Sequence, residues 1–439
     1  MNFDRMRALL LDRAIHGQLV SQDADDGVVK QIGMTPDADP FTLPKSWRWI
    51  KLKELVIPAK QTIPAENFTY IDVSSIKNFQ LEGTKRLEPS NAPSRARKVV
   101  QEGMVLFATV RPYLKNICIA KNLSGNVIAS TAFATMSCSD HLDNRYLFYV
   151  LRSDYFTELV KGKQRGISYP AISERDFYAC HVPVPPVKEQ ARIVAKLEEA
   201  FAEIDRAEKA YEELQTLAGV LRGQILQEAI EGKLVPQLAE EGVVEQIGAT
   251  PEKVPFEIPE KWKWYVLDQI GEFKKGPFGS ALTKSMFVPD GPNAVRVYEQ
   301  RNAIEKDSQF ARYFITQEYY EAKMKSFTVS AGDLIVSCAG TIGEIYQLPA
   351  NTKDGIINQA LMRVRLTDVM IGEYFQLVFA SLIRDLCIAE SGGTAIKNIP
   401  PFKVFKQFPI PVPPVQEQCR IVQKVRELME YVDSIVDPK

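Results

Sequence analysis

The sequence predicts an α+β chain: two mixed β-rich blocks joined by long antiparallel coiled-coil helices, in a pseudo-twofold circular arrangement. Three observations predict it. A helical rod with a heptad seam occupies the middle of the chain, two separate segments are each written twice, and short β-prone runs fill the intervals.

The rod runs from Val187 to Lys233, between Pro186 and Pro236, and holds neither proline nor cysteine. Ile193, Leu197, Ala200, Ile204, Ala207, Tyr211, Leu214, Ala218, Leu221 and Ile225 step by four and three alternately, which is an a/d seam. Glu198, Glu203 and Glu212 lie off that seam. At about 1.5 Å per residue the rod is roughly 65–70 Å long, more than a compact domain needs for its own core.

The duplication comes in two parts. Arg7-Ala-Leu-Leu-Leu-Asp-Arg-Ala-Ile-His-Gly-Gln-Leu-Val20 returns as Arg222-Gly-Gln-Ile-Leu-Gln-Glu-Ala-Ile-Glu-Gly-Lys-Leu-Val235, an offset of 215 residues that persists through Trp47 and Trp262. Pro183-Val-Pro-Pro-Val-Lys-Glu-Gln-Ala-Arg-Ile-Val194 returns as Pro411-Val-Pro-Pro-Val-Gln-Glu-Gln-Cys-Arg-Ile-Val422 at an offset of 228. The C-terminal heptad Ile421, Val425, Leu428, Val432 and Ile435 therefore copies the first half of the rod's seam, and Phe3, Met6 and Leu10 copy its second half. The chain ends together make one split copy of the rod. A seam cannot bury itself alone, so the rod is expected to pair with that copy and close the chain into a ring.

Between the repeats lie two blocks without evident mutual similarity. Runs such as Met104-Val-Leu-Phe-Ala-Thr-Val110 and Leu361-Met-Arg-Val-Arg-Leu366 read as strands, and each block ends in a helical pattern before its Pro-Val-Pro-Pro hinge. The expected organisation is a helix and linker over 1–44, a first block over 45–183, the rod and its linker over 184–259, a second block over 260–411, and a terminal helix over 412–439.

Composition narrows the function. No apolar run reaches the eighteen or so residues of a membrane span, so no membrane role is expected. Six cysteines and three histidines are scattered singly, which argues against a zinc site or disulfide framework and for a reducing cytoplasm. Net charge is −1, but its distribution is uneven: residues 59–176 carry 16 Lys/Arg against 11 Asp/Glu, and residues 187–245 carry 7 against 13. An acidic rod repels phosphates while a basic block holds them, so in any nucleic-acid complex the rod spaces and the blocks grip.

Catalytic motifs do not assemble. Asn398-Ile-Pro-Pro-Phe402 resembles an amino-methyltransferase motif but is broken by an isoleucine, and no glycine-rich methyl-donor loop precedes it. Pro289-Asp290 with Glu299-Gln-Arg301 lacks the lysine of a nuclease metal site. What remains are polar and aromatic loops. In the first block these offer Arg95, Arg97, Lys98, Arg111, Tyr113, Lys115, Lys163, Arg165 and Tyr169. In the second they offer Lys284, Arg296, Gln300, Asn302, Thr341, Asn358, Gln359, Thr394 and Lys397. Lysine and arginine suit phosphates, while arginine, asparagine and glutamine can read base edges.

The duplicated Pro-Val-Pro-Pro…Glu-Gln…Ile-Val signature, Ala229-Ile-Glu-Gly-Lys-Leu-Val235 with its copy, and Pro259…Trp262 together resemble the specificity subunits of type I restriction–modification systems over essentially the full length. Gly332-Asp-Leu-Ile-Val-Ser337 also resembles a recurring segment of that family's target-recognition domains, with Glu102-Gly-Met-Val-Leu-Phe107 a variant of it. The resemblance implies a non-catalytic subunit that chooses the DNA sequence, each block reading one half of a split double-stranded target and the helices fixing the spacer. It implies two modification subunits that carry S-adenosylmethionine, and restriction subunits that use ATP and Mg; no cofactor is expected on this chain. Half-site centres near one helical turn, about 10 bp apart, would place both readers on one face of the duplex. The rival expectation is a duplicated-domain scaffold that binds proteins; a fused methyltransferase or nuclease is a third.

Overall fold

The computed structural model describes residues 2–166, 169–338, 343–390 and 399–437 and resolves the chain into two compact units, residues 1–210 and 211–439. A single helix, Val187–Ile230, gives its first half to one unit and its second half to the other.

The first unit opens on a helix, Phe3–Ile15, whose Asn2 side chain caps the Arg5 amide at 2.9 Å. Its strands are β1 (Arg48–Lys51), β2 (Val56–Pro58), β3 (Phe68–Ile71), β4 (Ile76–Lys77), β5 (Gln80–Leu81), β6 (Lys85–Leu87), β7 (Ala96–Val99), β8 (Val105–Ala108), β9 (Ile117–Ile119), β10 (Val127–Ser130), β11 (Phe133–Cys138) and β12 (His181–Val184). Two four-stranded sheets form, ordered β6-β3-β10-β7 and β2-β11-β8-β9, and β1 pairs with β12. Only β3 and β10 run parallel in them. Among the described residues the small β4–β5 hairpin has no counterpart in the second unit.

The second unit contains β13 (Lys263–Val266), β14 (Gly271–Lys275), β15 (Ala294–Tyr298), β16 (Tyr313–Thr316), β17 (Thr328–Val329), β18 (Leu334–Ser337), β19 (Ile345–Gln347), β20 (Gly355–Ile357), β21 (Leu361–Leu366) and β22 (Pro409–Val412), followed by the helix Val415–Val436. Its sheets are ordered β16-β15-β20-β17 and β14-β21-β18-β19, with β13 on β22 and only β15 and β20 parallel. Strand for strand this is the order of the first unit. The two blocks looked unrelated in sequence, and the structure corrects that reading: they are one topology filled with different residues.

The rod pairs with the chain termini inside each unit. In the first, Ile193, Val194, Leu197 and Phe201 share a core with Leu11, Ala14 and Ile15, while Arg7 bridges Asp205 at 2.7 Å and also meets Glu208. In the second, Ala218, Ile225, Ala229 and Ile230 share a core with Ile421, Val425, Val432 and Val436, and Arg222 bridges Asp433 at 2.6 Å. In each pair the contacts run antiparallel. The buried stripe is wider than the heptad seam, however. Val194, Phe201 and Ile230 lie off it and are buried, because the rod also packs against the β-rich body and needs more than a two-position seam. Ile204, Tyr211, Leu214 and Leu428 are half-buried, and Leu221 is 43% exposed.

A buried polar network ties rod to body in both units. Glu189 accepts from Trp47 Nε1 at 3.0 Å and from Gln22 at 2.6 Å; Glu417 accepts from Trp262 Nε1 at 3.0 Å and from Gln237. Gln190 donates to the carbonyls of His141 and Pro185 and accepts from the Asp143 amide, and Gln418 does the same with Val369, Pro413 and Ile371. Arg192 clasps Asp26 as Arg420 clasps Glu241. The Glu-Gln of the repeated hinge is thus a structural latch that seats the rod against each body.

Candidate nucleic-acid interface

In the first unit the sheet ends gather the predicted loops. Chain leaves β8 through Thr109 and Val110 into Arg111, while Thr131 and Ala132 link β10 to β11 at the same end: Thr109 N donates to Ala132 O at 2.8 Å and Thr131 N to Arg95 O at 2.8 Å. Arg111 and Lys115 are both left-handed, with φ of 49° and 52°, and bracket one short turn, Pro112–Leu114. Two non-glycine residues held there cost of order 1–3 kcal/mol each, strain of the kind that collects at functional loops. The turn is anchored on the basic loop that follows. Arg111 N donates to Pro170 O at 2.7 Å, and its guanidinium lies 4.8 Å from the centroid of the exposed Tyr169 ring. Arg165 and Ala171 exchange backbone hydrogen bonds of 2.9 and 3.0 Å that close the loop. Arg95, Tyr113, Lys163 and Arg165 are exposed. Lys115 reaches Asp154 at 2.8 Å, and half-buried Arg97 donates to Ala96 O at 3.0 Å.

The corresponding end of the second unit collects amides instead. Gln300 donates to Ser337 Oγ at 3.0 Å, Asn358 N donates to Tyr298 O at 3.0 Å, and Asn358 Oδ1 accepts from Ala360 N at 3.0 Å. Gln359 and Lys284 are exposed. A side-chain amide offers a donor and an acceptor side by side, the pair that adenine presents in the major groove.

Three predicted contacts turn inward. Lys98 is 2% exposed, its Nζ 3.0 Å from Glu174 Oε2. Asn302 is wholly buried and spends its amide on the carbonyls of Asp307 and Phe310 and on the Glu299 amide. Arg296 is 6% exposed, donates to Phe310 O at 2.6 Å and lies 4.3 Å from the Tyr298 ring centroid. A residue type that suits base edges also suits the inside of a polar loop, and in these three the loop has used it. Thr341, Thr394 and Lys397 lie outside the described residues. Phe278 and Ile63, both exposed, are not among the predicted contacts, which are drawn from polar and aromatic loop clusters.

Among the described residues no group of three or more His, Cys, Asp or Glu could hold a metal ion, and no helix is long and apolar enough to cross a membrane. Burial pushes the thiols of Cys118, Cys138, Cys180, Cys338 and Cys387 up to about 12, which leaves them protonated and unreactive.

The family described as type I restriction modification DNA specificity domain matches residues 44–216 and again residues 259–435. The chain belongs to that family. Among its relatives, the EcoBI specificity subunit of Escherichia coli is 22% identical over 67% of this chain and 61% of its own length, and the EcoEI subunit is 20% identical over 98% and 90%. The chain spans less than two thirds of the EcoBI, EcoDI and EcoKI subunits that it matches. A solved chain from work on complex assembly and conformational transition of the type I R-M system is 26% identical, with a TM-score of 0.71 over 90% of this chain and 93% of that one. The HsdS subunit of Thermoanaerobacter tengcongensis is 25% identical, with a TM-score of 0.62 over 91% and 94%. The family's doubled match falls on the doubled strand order described above.

Proposed function

We propose that the chain is the DNA-recognition subunit of a type I restriction–modification complex, each unit reading one half of a bipartite target in double-stranded DNA. The observation that supports this best is the pairing of one strand topology with two different loop sets. One presents mainly cations, the other mainly amides, at corresponding ends of corresponding sheets. A scaffold kept for one protein partner gains nothing from two chemically unlike ends on duplicated frames.

In this reading the rod sets the spacer, and the exposed faces of the rod and terminal helices dock two modification subunits in the cytoplasm. Those subunits would hold S-adenosylmethionine and methylate adenine at N6; restriction subunits would add ATP- and Mg-dependent translocation and cleavage. The chain itself supplies shape and contacts, not chemistry. Sequencing methylated DNA from cells with and without the gene tests this: a gene-dependent bipartite motif supports the proposal. Absence of any such motif, together with no duplex preference for the complex with its methylase partner in a competitor-laden shift assay, favours the scaffold.

A further inference from the structure

The two most exposed large apolar side chains among the described residues are Phe278, 88% exposed, and Ile63, 75% exposed. They stand on equivalent loops, two residues apart in register. Ile63 follows β2, and Phe278 follows β14, the strand that takes the place of β2 in the second unit. One exposed apolar residue needs no explanation, since more than half of a folded surface is apolar. Two on topologically equivalent loops, in blocks of unlike sequence, do.

Neither is exposed because its backbone is loose. Gly276 N donates to Leu361 O at 2.9 Å, and a Cβ at Gly276 would lie 1.8 Å from Asn358 O, so only glycine lets the loop approach the Asn358 strand end. Pro277 is buried, and Ala281 N donates to Phe278 O at 2.8 Å. On the other loop, Thr62 N donates to Arg97 O at 2.8 Å, Val99 N donates to Lys60 O at 2.9 Å, and Pro64 is buried. In both units a buried proline adjoins the displayed side chain. The ring and the sec-butyl group are held out into solvent by backbone tied on both sides.

We infer that Phe278 and Ile63 are apolar base readers, each packing on the C5-methyl group of a thymine in the major groove of its own unit's half-site. The inference rests on the DNA-recognition reading above. The thymine methyl is the one apolar handle on the major-groove base edges. Phe278 lies two residues past Gly276, whose backbone abuts Asn358 O, and Ile63 follows Thr62, whose amide donates to Arg97 O.

The test uses the full chain with its modification partners and duplexes bearing the motif found in genomic DNA, each thymine replaced singly by deoxyuridine. Each half-site is expected to contain a position where loss of the methyl weakens wild-type binding about fourfold, the worth of one buried methyl. At that position Phe278→Ala (in one half-site) and Ile63→Ala (in the other) bind thymine and uracil alike, with unchanged melting temperatures. Phe278→Leu keeps part of the preference. Wild type indifferent to every replacement, or alanine variants that keep the full thymine preference, overturns the inference and leaves recognition standing. A wild-type complex with no sequence preference at all overturns the recognition reading, and this one with it.

Discussion

The indole of Trp47 donates a 3.0 Å hydrogen bond to the buried carboxylate of Glu189, across 142 residues of chain. Trp262 and Glu417 repeat the bond at 3.0 Å. Each carboxylate is the point where rod, linker and β-rich body meet, and each takes a second bond from a linker glutamine. Trp47→Phe removes the donor and leaves a buried acceptor short of a partner. The expected cost is roughly 2–4 kcal/mol, read as a lowered urea midpoint, whereas Glu189→Gln, which keeps an acceptor, costs less. Equal losses from the two substitutions would show that the bond is incidental to the packing.

The same carboxylates set a pH dependence. Burial raises the Glu189 and Glu417 pKa values, against the opposing pull of Trp47 and Gln22 on one and Trp262 and Gln237 on the other. Arg192 also favours the charged Glu189 and Asp26 disfavours it. A folded-state pKa above the unfolded value favours the protonated form. The associated stability is present below the unfolded pKa and is lost as pH rises through the folded one. The stability of wild type relative to the Glu189→Gln, Glu417→Gln variant should therefore decline as pH rises above the ordinary carboxylate range. Urea midpoints across that range measure it; a difference that grows with pH has the wrong sign.

Periodicity and repetition are local properties, so the rod, both offsets and the antiparallel pairing could be read from the chain alone. The common topology could not. Strand order depends on pairings such as β3 with β10 and β15 with β20, which join distant segments, and the residues that fill those strands differ between units. Polarity likewise misplaced Lys98, Arg296 and Asn302, whose partners Glu174 and Phe310 become neighbours only through folding. That the run around Arg111 forms surface loops was legible, because a basic, aromatic, glycine-punctuated run has few uses in a core.

Gly17 and Gly232 end the two equivalent helical segments, with φ of 66° and 72°. A Cβ would sit 2.4 Å from Pro44 Cγ at the first and 2.5 Å from Pro259 Cγ at the second. Gly27 has a φ of 77° but no heavy atom within 4 Å of its added Cβ. Gly27 also has a ψ of −164°, a region essentially reserved for glycine, so Gly27→Ala should cost roughly 1–3 kcal/mol in backbone strain alone, and Gly17→Ala should cost more, since it adds a clash with a proline ring. Thermal denaturation of the two variants separates strain from collision.

Arg111 and Lys163 are expected to differ in kind. Arg111 is fixed by its strained turn and stacked near Tyr169, geometry suited to a base edge, while Lys163 sits exposed on the loop. Arg111→Ala should cost roughly 1–3 kcal/mol of binding and relax preference at one base pair. Lys163→Ala should weaken all duplexes alike and lower the salt slope by about 1. Binding isotherms of the partnered complex over a salt series, on cognate and singly mutated duplexes, distinguish the two. A uniform loss for Arg111→Ala would make it a phosphate contact.

Glu212 lies on the continuous rod, exposed, two residues past the boundary between the compact units. A one-turn insertion there leaves both latches intact, since Glu189 and Glu417 and their partners belong to separate units. About four added residues lengthen a helix by roughly 6 Å, close to two base-pair steps of about 3.4 Å each. If the rod measures the spacer, methylation mapping in cells carrying the insertion should show the same half-sites at a longer spacing, or no methylation where the added twist breaks the complex. If instead the half-site sequences change while the spacing stays, the rod does not set the distance, and spacing must come from the partner subunits.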